Sequence, residues 1–233
     1  MSTKTKKLDF RTFRCVHRHY PFICRDGGDS CSHLNCWMAA RYGNNRVGYL
    51  DIECDNLDAD FGIVLSWTLK ERDNEELHSA TISKEDVELS IELDKEVTDR
   101  RILQELQPLL GQFDYIVCHY GAMDRGLDIR FLRTRFVKLG LKFPVYGQMY
   151  AIDTFLMSKY KFKLHSNRLD TIAEYFGCPY QKTELKGDVW TLAKKGSSKA
   201  LRYILDHNQK DVLILEWVHK KLEPYANLSK RSI

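Results

Sequence analysis

The spacing of hydrophobic and polar positions changes several times between residue 46 and residue 222. Residues 46–53, RVGYLDIE, and 61–70, FGIVLSWTLK, are rich in β-branched and aromatic residues and predict two strands. DNLDAD supplies the turn between them, and ERDNEE turns the chain into a third strand near 77–83. From 97 to 110, VTDRRILQELQPLL, the residues Ile102, Leu103, Leu106, Leu109 and Leu110 recur at helical spacing, with Thr98 as the expected N-cap. YIVCHY at 115–120 is a short, continuous apolar run of the kind a fully buried parallel strand carries. LDIRFLRTRFVKL at 127–139 predicts a helix stopped by Gly140 and Pro144. MYAIDTFLM at 149–157 reads as a strand passing into a helix capped by Asp153, and RLDTIAEYF at 168–176 as a helix ending at Gly177-Cys178-Pro179. The longest helix, 198–222, has a broad apolar stripe: Leu201, Ile204, Leu205, Val212, Leu215 and Leu222. Three strands, a helix, a strand and then helices define a mixed α/β layer architecture. No repeat or low-complexity linker interrupts it.

Three groups of polar residues break this pattern. Asp51 and Glu53 stand two apart in the first strand, so both side chains project from one face. Their repulsion is costly to bury unless a proton or a cation neutralises it. His207 and Asp211 lie one turn apart on one face of the last helix, at the margin of the stripe, whereas Asp206, Gln209 and Lys210 are expected to face water. Asp128 opens a helix just after the buried strand that ends at His119-Tyr120-Gly121, with Asp124 four residues before it. Such strand ends are where α/β proteins build their sites. Taken singly, each group is an ordinary solvated or ion-paired feature; either the Asp51–Glu53 edge is solvated or something positive sits there.

Together, Asp51-Ile52-Glu53, Asp128 in LDIRFLRTR and Asp211 in HNQKD resemble the four acidic residues of DEDD-type 3′–5′ exonucleases of the ribonuclease H-like superfamily. The first and second motifs are 77 residues apart and the second and third 83. LDIRFLRTR, HSNRLDTIAEYFG, KTEL and HNQKDV are similar to the bacterial, archaeal and phage branch of predicted ribonuclease H-like exonucleases. The resemblance spans about residues 46–225. It implies a five-stranded mixed sheet, its first three strands antiparallel, flanked by helices. It further implies that Asp51, Glu53, Asp128 and Asp211 hold two Mg²⁺ or Mn²⁺ ions. His207 would then be the general base or would position the attacking water; an imidazole suits proton transfer near neutral pH. Three residues separate His207 from Asp211, a spacing that leaves His119 as an alternative base. The reaction implied is hydrolysis of single-stranded nucleic acid from its 3′ end, DNA favoured over RNA, with release of nucleoside monophosphates. A structure-selective endonuclease of the same fold and a non-catalytic zinc-bearing nucleic-acid-binding module are the alternatives.

The first 45 residues have another texture. CVHRHYPFICRDGGDSCSHLNC, 15–36, is dense in thiols and imidazoles, and Cys15, His17, Cys24, Cys31 and Cys36 are the candidate ligands of a structural Zn²⁺. Cysteines that simply pack beneath the sheet are the plain alternative, and an iron–sulfur cluster a minor one. The division expected is thus a Cys/His-rich segment at 1–45, a nuclease domain at 46–225 and a tail at 226–233. Seven cysteines, an odd number, in 233 residues without a secretory leader argue against a disulfide framework and for a cytoplasmic setting, in a host cell if phage-encoded. No apolar run is long enough to span a membrane. A net charge of +4 accords with a nucleic-acid partner. Tyr120, Arg125, Arg133 and Lys161 are the residues expected to contact that strand, by stacking or by phosphate contact. Arg130 and Arg135 belong to the same basic run, and KYKFKLHSNR, 159–168, adds a basic, aromatic stretch. Neither GxxxxGK[ST] nor GxSxG occurs, which removes support for P-loop and serine-hydrolase chemistry.

Overall fold

A computed structural model of the chain describes residues 45–93, 95–121, 126–181, 183 and 187–226. The Cys/His-rich segment with Cys15, His17, Cys24, Cys31 and Cys36 lies outside the described residues, as do Asp124, Arg125 and residues 227–233. The elements that follow belong to the compact unit beginning at Arg46. They are β1 (Val47–Cys54), β2 (Val64–Glu71), β3 (Leu77–Thr81), α1 (Lys84–Glu92), α2 (Arg100–Leu110), β4 (Tyr115–Cys118), α3 (Asp128–Lys138), β5 (Tyr150–Asp153), α4 (Thr154–Lys161), α5 (Leu169–Phe176), α6 (Gly187–Lys194) and α7 (Ser198–Leu222). The strands form one mixed sheet in the order β3-β2-β1-β4-β5. β1 pairs antiparallel with β2 and parallel with β4; β2–β3 is antiparallel and β4–β5 parallel. This is the α/β, ribonuclease H-like architecture expected, with helices flanking the sheet.

The alternation along β1 sets the layers. Leu50 and Ile52 oppose Leu69 and Trp67 of β2 and join the core formed with Ile102, Leu103 and Leu106 of α2 and Ile129 and Phe136 of α3. Trp67 Nε1 donates to the Ile102 carbonyl at 2.7 Å, so the indole satisfies its polar atom as it buries its ring. Residues 49, 51 and 53 point the other way, toward α7: Tyr49 meets His219, Asp51 meets Asn208 and Glu53 meets His207.

Two helices go beyond the sequence reading. α1 starts from a capping box in which Ser83 Oγ accepts from Asp86 N–H and Asp86 accepts from Ser83 N–H. Its apolar residues Leu89 and Ile91 are exposed, so no buried stripe marked it. α6 is only eight residues long and opens at a glycine. The N-cap of α2 is Asp99 rather than Thr98, and its carboxylate makes no cap bond. It accepts instead from Val64 N–H at 3.1 Å and pairs with Arg135 of α3 at 2.7 Å, both side chains being fully buried. Asp153 caps α4 as expected, accepting from Phe155 N–H at 2.9 Å.

A polar network ties the far end of α7 to β1 and β2. Lys70 is ion-paired with Glu216, Arg72 makes two 2.9 Å bonds to Glu223, and Tyr49 Oη lies 3.0 Å from His219 Nδ1. His219 is fully buried, and loss of water lowers its pKa from the ordinary 6.5 to about 4. Below pH 6.5 the unfolded chain therefore binds a proton that the folded chain refuses, and stability falls as pH drops toward 4. Between pH 7 and pH 5 this one residue should remove about 2 kcal/mol of stability. His219→Gln, which keeps a partner for Tyr49, should lose that much less over the same interval in urea denaturation. Equal losses in the two proteins would contradict the assignment.

Candidate active site

Asp51 and Glu53 leave β1 half-buried on the α7 side, opposite Thr68 and Ser66 of β2. The small hydroxyl residues leave room above the sheet, and the β1–β2 register shifts between Glu53 and Cys54. Such irregularities re-aim side chains beside functional sites. Across from them, α7 presents His207 and Asn208 and, one turn on, Asp211, all buried. His207 Nε2 lies 3.7 Å from Glu53 Oε1 and 3.8 Å from Asp211 Oδ2. Asn208 Nδ2 donates to Asp51 Oδ2 at 2.6 Å. Trp190 of α6 stands edge-on to the His207 ring at 6.4 Å, and Lys194 pairs with Asp55 just beyond β1, so α6 braces both halves of the cluster.

Asp128 reaches the same cluster from the first residue of α3. The turn after β4 that delivers it is tight: Tyr120 has φ of 58°, Leu127 N–H bonds to Tyr120 O, and Ile129 N–H bonds to Gly121 O. A Cβ at Gly121 would overlap Asp128 Oδ2 and stand 2.6 Å from Cys118 Cβ, so only glycine admits the carboxylate at this place. Burial, followed by the charges of Asp51, Asp153 and Glu53, pushes the Asp128 carboxyl well above the usual carboxylate range. The same field and burial push the Cys54 thiol up to about 12 and raise Cys118. Both thiols are therefore neutral, and the electronegative character of the site comes from oxygen.

The donor set fits hard divalent cations. Asp128 Oδ2 is buried with no hydrogen-bond partner, and several carboxylates share one field, an arrangement that Mg²⁺ or Mn²⁺ relieves and a soft metal does not favour. Among the described residues, no three His, Cys, Asp or Glu side chains form a closed ligand set. The carboxylates converge without closing on a point.

The other sequence-derived candidates fall in different places. His119 is half-buried and its Nδ1 lies 2.9 Å from Thr154 Oγ1, which itself donates to the Cys118 carbonyl at 3.2 Å. Since that hydroxyl has one proton, His119 Nδ1 is the donor to it. Tyr120 is exposed, with its ring 4.9 Å from that of Phe155. Arg133 is half-buried, its guanidinium 5.7 Å from the centre of the Phe143 ring; Lys161 is exposed at the end of α4. Arg135 is committed to Asp99 and Glu96 inside the core, so of the described arginines in that run it has no access to a strand. Gln209, expected to face water, donates instead to Ser79 of β3 at 2.8 Å. A groove of about 560 Å³ lies between the loop after β1 and α3, lined by Leu57, Asp58, Tyr120, Leu127, Arg130 and Phe131. Sequence reasoning missed Asn208, Gly121 and Asp153 as members of the site. Asp153 was visible only as a cap, and Gly121 only as a loop residue. Asn208 alone left a signal: a polar residue four positions from both Ile204 and Val212, on the buried stripe.

A five-stranded sheet of order 3-2-1-4-5, with carboxylates gathered at the carboxyl end of its central strand and on the closing helix, defines a ribonuclease H-like protein. A family model of the RNase H superfamily matches residues 48–223, and the chain belongs to that superfamily. No curated protein matches the chain. Membership supports a nuclease, a hydrolase of nucleic acid in a superfamily whose nucleases usually use divalent metal ions such as Mg²⁺. Among the described residues no helix is long and apolar enough to cross a membrane.

The fit at Gly121 gives a direct check of the Asp128 position. Gly121→Ala should lower metal-dependent nuclease activity about 100-fold, the scale of a misplacement near 1 Å in a reacting group. Its far-UV circular dichroism should stay that of the wild type. Full activity would mean that Asp128 does not need this place.

Proposed function

We propose that the chain is a two-metal 3′–5′ exonuclease acting on single-stranded nucleic acid, DNA favoured over RNA, and releasing nucleoside monophosphates. One observation carries the reading: carboxylates from three separate stretches meet, Asp51 and Glu53 of β1 acting on Asp128 of α3 while His207 stands between Glu53 and Asp211 of α7. Those four carboxylates would hold two Mg²⁺ or Mn²⁺ ions. When bound, such ions lower the pKa of water and neutralise charge on the phosphoryl oxygens. His207, through Nε2, takes or orients the proton of the attacking water, held in place by the α7 backbone and the Trp190 edge. His119 remains the alternative base: its Nδ1–H donates to Thr154, which leaves Nε2 as the basic nitrogen.

Substrate would reach the carboxylates along the groove beside α3. Tyr120 offers an exposed ring for stacking, and Arg130, Arg133 and Lys161 offer charge for phosphates, with Arg125 beyond the described residues. The net charge of +4 supports an anionic polymer as partner. A structural Zn²⁺ held by Cys15, Cys24 and one or two of His17, Cys31 and Cys36 belongs to the same reading.

The test is a time course on 5′-labelled single-stranded DNA and RNA with Mg²⁺, Mn²⁺ or EDTA, beside Asp211→Asn. A metal-dependent ladder shortening from the 3′ end, abolished by Asp211→Asn, is expected, with DNA degraded faster. Discrete internal cuts would replace the reading with an endonuclease. Binding of both strands without metal-dependent cleavage would replace it with a non-catalytic module.

A further inference from the structure

Asn208 occupies a position where the helix pattern calls for an apolar residue. It lies one turn from Ile204 and one turn from Val212, both fully buried, and is itself fully buried. Asparagine is a poor helix former in such a place, because its amide needs partners that the core does not offer. Here it has one partner, Asp51 Oδ2, 2.6 Å from Nδ2. The orientation of the amide follows from that contact: a flipped amide would set its carbonyl oxygen against a carboxylate oxygen at the same distance. Oδ1 therefore points away from Asp51, and it is buried with no hydrogen-bond partner.

We infer that Asn208 is a positioning residue for the metal-binding carboxylates, fixing Asp51 through its amide N–H and presenting Oδ1 as an acceptor for water in the site. The inference rests on the two-metal reading. Three physical points support it. Asp51 and Glu53 share one face of a strand, so their repulsion tends to spread the two side chains apart. A donor fixed on the rigid α7 holds Asp51 Oδ2 and so sets the direction of the other oxygen. That donor is neutral. A lysine or arginine would hold the carboxylate equally well but would cancel the charge that attracts a cation, whereas an amide leaves it intact. The second amide atom completes the role. A buried acceptor without a donor beside carboxylates calls for a water proton, and an ordered water is the species that divalent ions in oxygen sites retain. A purely mechanical tie between α7 and β1 would need only the N–H and would leave Oδ1 unexplained.

Mn²⁺ binding by isothermal titration calorimetry, at one pH and on the full chain, separates the two roles. Wild type, Asn208→Ala and Asp211→Asn are compared, with melting temperatures taken in EDTA. Asn208→Ala should bind Mn²⁺ about 10- to 100-fold more weakly, the usual effect of removing a partner of a metal ligand. Its half-saturating Mn²⁺ for cleavage should rise in parallel, while cleavage at saturating Mn²⁺ recovers most of the wild-type rate. If the alanine variant fails to fold, Asn208→Ser, small and polar, is measured in the same way and should show the same weakening. Mn²⁺ affinity equal to wild type, with only a lower melting temperature in EDTA, would overturn the inference and leave a mechanical tie. Absence of Mn²⁺ binding by the wild type itself would overturn the two-metal reading and this inference with it.

Discussion

The described part of the unit beginning at Arg46 is organised by the seam where α7 lies along the odd-numbered face of β1. Tyr49, Asp51 and Glu53 are spaced by two along the strand, and they meet His219, Asn208 and His207 in turn along the helix. One end of the seam is a neutral, fully buried Tyr–His contact braced by the Lys70–Glu216 and Arg72–Glu223 pairs. The other end is a cluster of carboxylates. The apolar residues between them, Val212 and Leu215, exclude water and hold the helix at a set distance from the sheet. The middle of the seam therefore stabilises the fold, and its charged end is positioned at the cost of some of that stability.

That cost is electrostatic. Burial first, and then the charges of Asp51, Asp153 and Glu53, drive Asp128 toward its protonated form. The structure offsets the repulsion with neutral donors. The Tyr120 and Phe155 N–H groups serve Asp153, and the Asn208 amide serves Asp51. The treatment of Asp99 shows the contrast. There a fully buried carboxylate receives a full counter-charge, the Arg135 fork, plus a backbone N–H from Val64. Removing one partner of such a buried pair typically costs about 3–5 kcal/mol, the mark of a structural pair. One fold thus treats two kinds of buried carboxylate differently. The Arg135–Asp99 pair joins α3 to α2, whereas Asp51 and Asp153 accept from amide N–H groups.

Legibility from sequence followed the strength of the local pattern. Strands such as YIVC and helices with buried stripes, α2 and α7, announce themselves through period. α1 does not, since Leu89 and Ile91 alternate as in a strand and face solvent, and only the Ser83–Asp86 capping box marked it. α6 is eight residues and begins at Gly187, too short for periodicity to speak. Among the arginines, sequence alone could not separate Arg135 from Arg133, because burial against Asp99 arises 36 residues away along the chain.

Read alone, the chain determines its class: the order of strands and helices, the pairing of Asp51 with Glu53 on one face, and the one-turn spacing of His207 and Asp211. These are local properties, set by the two- and 3.6-residue periods of strand and helix. Tertiary structure alone decides that Asp128 and Asp153 share a field and that Gly121 must be small beside Asp128. It likewise decides that Asn208 reaches Asp51 across 157 positions of sequence. Those relations depend on which strand lies beside which and on how far α7 stands from the sheet, and no period in the sequence encodes a distance between segments that far apart.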